Sequence, residues 1–160
     1  MKIRKILIVC TGNAARSPVG SYLGQFYSEK YNANLVFDSA GFINAFSTIL
    51  PESQVFLDSK GINYSDFKPK IINKKLLEKQ DLIITMERHH ANQIKSNFNN
   101  IKDIDNKTFT LREFNGEITD LDILDPYYTN KETYYKVLIQ IDENIEELVK
   151  KVIIINQKDK

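Results

Sequence analysis

Two residues in this chain have the types and spacing to do covalent chemistry on an anion. Cys10 and Arg16 stand as Cys-x5-Arg, with Ser17 and Pro18 following. Cys10 ends a continuously apolar, β-branched run, Lys5–Cys10 (KILIVC), of the kind that forms a strand buried on both faces. Thr11, Gly12, Asn13, Ala14 and Ala15 make a small, flexible link, and Pro18 suits the first turn of a helix, where its missing N–H would be unpaired anyway. Ligands of open parallel sheets bind outside the carboxyl ends of the strands, where helix N-termini also point. A loop at that place turns several backbone N–H groups toward one anion, and the helix dipole reinforces them. Such surroundings stabilise a thiolate and make it a nucleophile near neutral pH. Arg16 adds a planar fork of donors able to grip two phosphate oxygens, and the Ser17 hydroxyl is placed to donate to the thiolate. The pattern sets a nucleophile beneath a phosphate cradle built from residues 11–17, which is the equipment for forming and hydrolysing a phosphocysteine. A lone strand cysteine is more often simply a core residue, but that use leaves Gly12, Asn13, Arg16, Ser17 and Pro18 without a reason.

The elements that must hold this loop are legible along the chain. A helix is expected from about Ser17 to Tyr31, with Gly20 and Gly24 each weakening it by about 1 kcal/mol relative to alanine. Asn34 to Asp38 reads as a second strand ended by Ser39-Ala40-Gly41. Pro51 to Lys60 reads as a helix stopped by Gly61. Asp81 to Met86 (DLIITM) is a third buried strand, followed by a polar helix over 87–97. Lys107 to Leu111 is a weaker fourth strand, and the polar stretch 99–107 reads as a surface loop. Thr129-Asn130-Lys131-Glu132 matches a capping box, after which Tyr134, Leu138, Ile141, Ile145, Leu148 and Val152 follow helical spacing on one face. Strands alternating with helices imply an α/β domain, an open four-stranded parallel sheet with helices on both faces. Residues 1–160 are read as one domain.

Composition narrows the field of functions. A chain of 160 residues, 42% hydrophobic and 27% charged, is globular in character and long enough for a core without disulfides or structural metal. One cysteine and two histidines supply no cysteine-rich zinc site, so no metal and no cofactor is expected. With 22 Lys+Arg against 21 Asp+Glu the net charge is +1, which argues against a nucleic-acid partner gripped through many phosphates. No run is long enough for a membrane span, and the apolar stretch after Lys2, Arg4 and Lys5 is too short for a secretory core. A cytoplasmic protein, monomeric or weakly self-associating, is expected.

Cys10 to Pro18, read as C-T-G-N-A-A-R-S-P, resembles the phosphate-binding loop of the low-molecular-weight protein tyrosine phosphatases, whose pattern is C-x-G-N-x-x-R-S-P. Ser39-Ala40-Gly41, Asp81–Met86 and Asp125-Pro126-Tyr127-Tyr128 match further family segments in the same order, so the resemblance covers nearly the whole chain. It implies a protein phosphotyrosine substrate, with Cys10, Arg16 and Asp125 as catalytic residues. Asp125 is the general acid by this resemblance. A phenolate leaves poorly unless it is protonated as the P–O bond breaks, and Pro126 restricts the backbone of Asp125 to extended conformations. Tyr127 and Tyr128 are implied to flank the pocket, with Phe42 or Phe46 as the opposite wall. Asp120 and Asp122 read as solvated loop carboxylates. His89 and His90, on the polar helix and away from any motif, read as satisfied or solvated side chains.

The departures from the family pattern also inform. Ala15 stands where many members carry a second cysteine, so Cys10 has no neighbour with which to form a protective disulfide. Ala14 stands where a phosphoarginine-specific bacterial branch carries threonine, which weakens that alternative. Leu124 replaces a proline common before the Asp-Pro pair. An arsenate reductase with an intramolecular cysteine relay is excluded by the single cysteine; one coupled to external glutathione remains open. A phosphocysteine phosphocarrier domain needs no acid for a phenol, so Arg16 with Asp125 favours hydrolysis. A silent phosphotyrosine-binding module would be expected to lack Cys10 or Asp125.

Overall fold

A computed structural model describes residues 2–159; Met1 and Lys160, the two ends of the range read as one domain, lie outside them. The order of elements is β1 (Lys5–Cys10), α1 (Arg16–Lys30), β2 (Val36–Gly41), α2 (Pro51–Ser59), α3 (Lys74–Glu78), β3 (Leu82–Thr85), α4 (Arg88–Asn97), α5 (Ile104–Lys107), β4 (Thr108–Thr110), α6 (Leu111–Phe114) and α7 (Lys131–Lys158). The strands form an open parallel sheet in the order β2-β1-β3-β4. Because side chains alternate across a strand, β1 feeds two cores. Ile6 and Ile8 pack with α1, α2 and α7 on one face, whereas Leu7 and Val9 meet Leu77, Ile94, Ile101 and Ile104 on the other. Being apolar on both sides is what the unbroken KILIVC run encodes.

Helix α1 lies close on the sheet. A Cβ on Gly24 would sit 2.4 Å from the Phe37 ring, and one on Gly20 would sit 3.0 Å from Ile8. The helix-weakening glycines are therefore contact positions. Helix α7 buries Tyr134, Leu138, Ile141, Ile145, Leu148 and Val152, the stripe expected from spacing. Its cap differs from expectation: the Asn130 side chain accepts the Thr133 N–H at 2.8 Å. Thr129 instead donates its hydroxyl to the Pro126 carbonyl and closes the preceding turn.

Two other expectations are corrected. Ser39-Ala40-Gly41 does not follow β2 as a terminator but forms its C-terminal half, in register with Ile8, Val9 and Cys10. Small residues there reflect crowding: a Cβ on Gly41 would lie 2.8 Å from the Asn13 N and the Thr11 carbonyl O. The stretch over 99–107 is not simply a surface loop. Ile101 and Ile104 are buried beneath the sheet, and α5 lies within it.

Candidate active site

The loop between β1 and α1 leaves the carboxyl end of the sheet with Cys10 facing Gly41 on β2. Helix α1 has no side-chain cap at its N-terminus, so its first N–H groups are open to an anion. One already points at Cys10: the Ser17 N–H meets Cys10 Sγ at 3.4 Å, and Ser17 Oγ lies 3.0 Å from the same sulfur. Cys10 itself is 3% exposed, at the bottom of the loop.

Asn13 sets the loop's shape. It adopts a left-handed backbone at φ 51°, a region asparagine tolerates better than most residues. Its side chain donates to Ser17 Oγ and Ser39 Oγ, both at 2.9 Å, and accepts the Lys70 N–H at 3.0 Å. The loop's outer side is held by other elements. The Ala14 carbonyl accepts the Leu50 N–H, and the Ala15 carbonyl accepts the Ser53 hydroxyl, which lies 2.7 Å from the Tyr134 hydroxyl. Burial pushes Tyr134 up to about 12, which keeps its phenol protonated within this chain of bonds.

Arg16 is 1% exposed, and its guanidinium is fixed before any ligand arrives. Nη1 donates to the Ile123 carbonyl at 2.6 Å and pairs with Glu87 at 2.8 Å, while Nη2 faces Asp125 at 3.7 Å. Ile123 is tied to the sheet by its own N–H, which donates to the Met86 carbonyl. Asp122 accepts the Arg88 N–H at 2.7 Å, giving α4 a cap from a distant segment. Two neighbours of Asp125 thus anchor its loop, and Asp122 is a structural carboxylate rather than a merely solvated one. Asp125 accepts the Tyr127 N–H at 3.1 Å, which orients its carboxyl over the pocket.

These groups line one cavity of about 320 Å³, formed by Cys10, Thr11, Gly12, Ala14, Ala15 and Arg16 below and Ile43, Ala45, Phe46, Leu50, Asp125, Tyr127 and Tyr128 around it. Asn13 and Ser17 brace it from behind. Phe46 and Tyr127 face each other with centroids 5.2 Å apart. Phe42 is not among the lining residues; its ring stacks on His90 at 5.2 Å. The wall belongs to Phe46, while the Phe42 and Ile43 N–H groups both donate to the Thr11 carbonyl and hold Phe42 on the His90 side.

Reading the sequence missed two members of this neighbourhood. Glu87 is the ion-pair partner of Arg16, and His90, expected away from the motifs, is 1% exposed with Nε2 2.9 Å from Thr11 Oγ1. Both follow β3, whose parallel pairing with β1 brings its carboxyl end beside the loop. Burial pushes His90 down to about 3, with the neighbouring His89 and Arg16 charges acting in the same direction. Among the described residues Glu87, His89 and His90 are also the one group of potential metal ligands that converge, within 4.8 Å. Glu87 is already engaged by Arg16 and His90 by Thr11.

With the geometry in place, comparison with known proteins is decisive. Residues 5–158 match the profile of the family described as low molecular weight phosphotyrosine protein phosphatase. The chain belongs to this family. The phosphatase is 29% identical over 150 residues to the protein-arginine-phosphatase of Bacillus subtilis, covering 92% of this chain and 95% of the relative. It is 32% identical over 128 residues to the low molecular weight protein-tyrosine-phosphatase Ptp of Acinetobacter johnsonii, covering 79% and 82%. Among solved structures, the arginine phosphatase YwlE mutant with a phosphorylated active-site serine superposes with a TM-score of 0.82 at 28% identity, covering 92% and 94%. The enzyme is a hydrolase of the protein phosphatase class, and the sheet is the open four-stranded one of its relatives. No helix among the described residues is long and apolar enough to cross a membrane.

Proposed function

We propose that the phosphatase hydrolyses phosphotyrosine in proteins through a phosphocysteine on Cys10. The observation that carries this reading is the convergence of the Cys10 sulfur, the Arg16 guanidinium and the Asp125 carboxyl on one pocket walled by Phe46 and Tyr127. The Cys10 thiolate attacks phosphorus, the bond from phosphorus to the phenol oxygen breaks, and Asp125 delivers its proton to that oxygen. Asp125, now a carboxylate, takes a proton from the water that attacks the phosphocysteine, releasing inorganic phosphate and restoring the thiolate. Arg16 and the loop N–H groups stabilise the equatorial oxygens of the transferring group, and Ser17 steadies the thiolate when it is the leaving group.

Rings at the mouth fit an aryl phosphate, since aromatic pairs gain from offset and edge-on contact. Phe46 and Tyr127 already touch, so a substrate ring enters by parting them. A second reading, phosphoarginine, is favoured by the similarity to a named protein-arginine-phosphatase. Against it, Ala14 puts a methyl group in the pocket where that branch carries a hydroxyl. Assaying phosphotyrosine, phosphoserine and phosphoarginine peptides of one sequence decides between them. The highest kcat/KM is expected for phosphotyrosine; a preference for phosphoarginine would overturn the assignment.

A further inference from the structure

His90 is a buried ionisable side chain at the loop that the mechanism above leaves without a task. It belongs to α4, not to the loop, yet its Nε2 lies 2.9 Å from the hydroxyl of Thr11, the residue directly after the nucleophile. Its ring is held by a near-parallel stack on Phe42, at 20° and 5.2 Å, and by contact with the His89 ring at 4.1 Å. Its Nδ1 is buried with no hydrogen-bond partner among the described residues.

We propose that His90 is a positioning residue of the phosphate loop: a neutral, buried imidazole that donates its Nε2–H to Thr11 and so turns the Thr11 hydroxyl proton toward a phosphoryl group in the pocket. This rests on the phosphatase reading of the site and adds a donor to its cradle.

The direction of the hydrogen bond follows from the orphaned nitrogen. A neutral imidazole carries one N–H and one lone pair. With the proton on Nδ1, a buried donor would have no acceptor, an arrangement proteins rarely tolerate. With the proton on Nε2, the donor meets Thr11 Oγ1, and the group left unpaired is only an acceptor. Thr11 Oγ1 then accepts, so its own proton has to point elsewhere. Thr11 lines the same pocket as Cys10 and Arg16, where an incoming phosphate supplies acceptors. Were the bond reversed, Thr11 would spend its proton on the ring and offer phosphate only a lone pair.

The surroundings keep the imidazole uncharged. Arg16 is the cationic neighbour, the His89 ring lies 4.1 Å away, Glu87 lies 3.8 Å from Nε2, and Asp122 is the other nearby carboxylate. Glu87 is committed to Arg16 at 2.8 Å, so it does not take His90 as an ion-pair partner. What His90 contributes is therefore directional. Phe42 has the matching task of fixing the plane of the ring.

The test uses inorganic phosphate binding, which requires the loop and not the chemistry. His90→Phe keeps a ring to stack on Phe42 but removes the donor, Thr11→Val removes the acceptor, and His90→Gln restores a donor. Loss of one hydrogen bond predicts a roughly three- to tenfold weaker Kd for phosphate in each single variant. The double variant His90→Phe/Thr11→Val is expected to be no weaker than either alone, and His90→Gln to recover most of the affinity. In the wild type, long-range proton–nitrogen correlation NMR should place the His90 proton on Nε2. A proton on Nδ1, additive losses, or wild-type phosphate affinity in Thr11→Val would overturn the proposal. Failure of the phosphatase reading shows separately, as absence of aryl phosphate hydrolysis by the wild type.

Discussion

At the scale of single residues, the site works by dividing one carboxylate's task from another's. Glu87 and the Ile123 carbonyl hold Arg16 in place, whereas Asp125 stands 3.7 Å away with nearly half its side chain exposed and is free to exchange a proton. If Asp125 protonates the leaving group, Asp125→Asn lowers kcat/KM for a phenyl phosphate far more than for a p-nitrophenyl phosphate, whose phenolate leaves without help. Steady-state kinetics on the pair checks this, and equal losses would place the acid elsewhere. His90 yields a second prediction, for stability. Its folded pKa of about 3 lies below the ordinary 6.5. Between those values the unfolded chain binds a proton that the folded protein does not, so stability is present above 6.5 and falls as pH drops, by on the order of 1 kcal/mol per pH unit at most. Urea unfolding between pH 7 and 4 should show this slope, and His90→Gln should flatten it.

At the scale of elements, the loop's shape depends on how closely β2 approaches it. Gly41 has room for hydrogen only, since a Cβ would press on the backbone of Thr11 and Asn13. Gly41→Ala is therefore expected to displace the loop and lower kcat/KM by on the order of 10²-fold, the effect of misplacing reacting groups by about 1 Å. Retention of wild-type kcat/KM would show that this approach is dispensable. The same crowding explains why the end of β2 was hard to read. Small residues are a turn signal in a sequence, and nothing local shows that Ser39 and Gly41 are small because a loop from elsewhere lies on them. The buried Ile101 and Ile104 were masked in the same way by the Asn, Asp and Lys residues around them. Helix α7 was legible because its apolar period is long, although its cap moved from Thr129 to Asn130 once Thr129 found a partner in Pro126.

At the scale of the whole molecule, the parallel sheet gathers groups that are far apart in the chain. The order β2-β1-β3-β4 puts the carboxyl ends of β1, β2 and β3 side by side, so Cys10, Gly41 and Glu87 become neighbours. Ile123 then docks on Met86 and brings the segment with Asp125 over the pocket. The proposed nucleophile and arginine stand in one short motif, and the proposed acid stands in an Asp-Pro-Tyr-Tyr run that resembles the family's. Glu87 and His90 carry no local signature, since their place depends on strand pairing, and the choice between Phe42 and Phe46 as the wall depends on the path of a loop. The account rests on a covalent phosphocysteine. Its most direct test is rapid denaturing quench of the enzyme during turnover of a phosphotyrosine peptide, followed by peptide mass spectrometry. Phosphate attached to Cys10, and absent from Cys10→Ala, is the expected result; turnover by Cys10→Ala, or phosphate carried on another side chain during turnover, would contradict it.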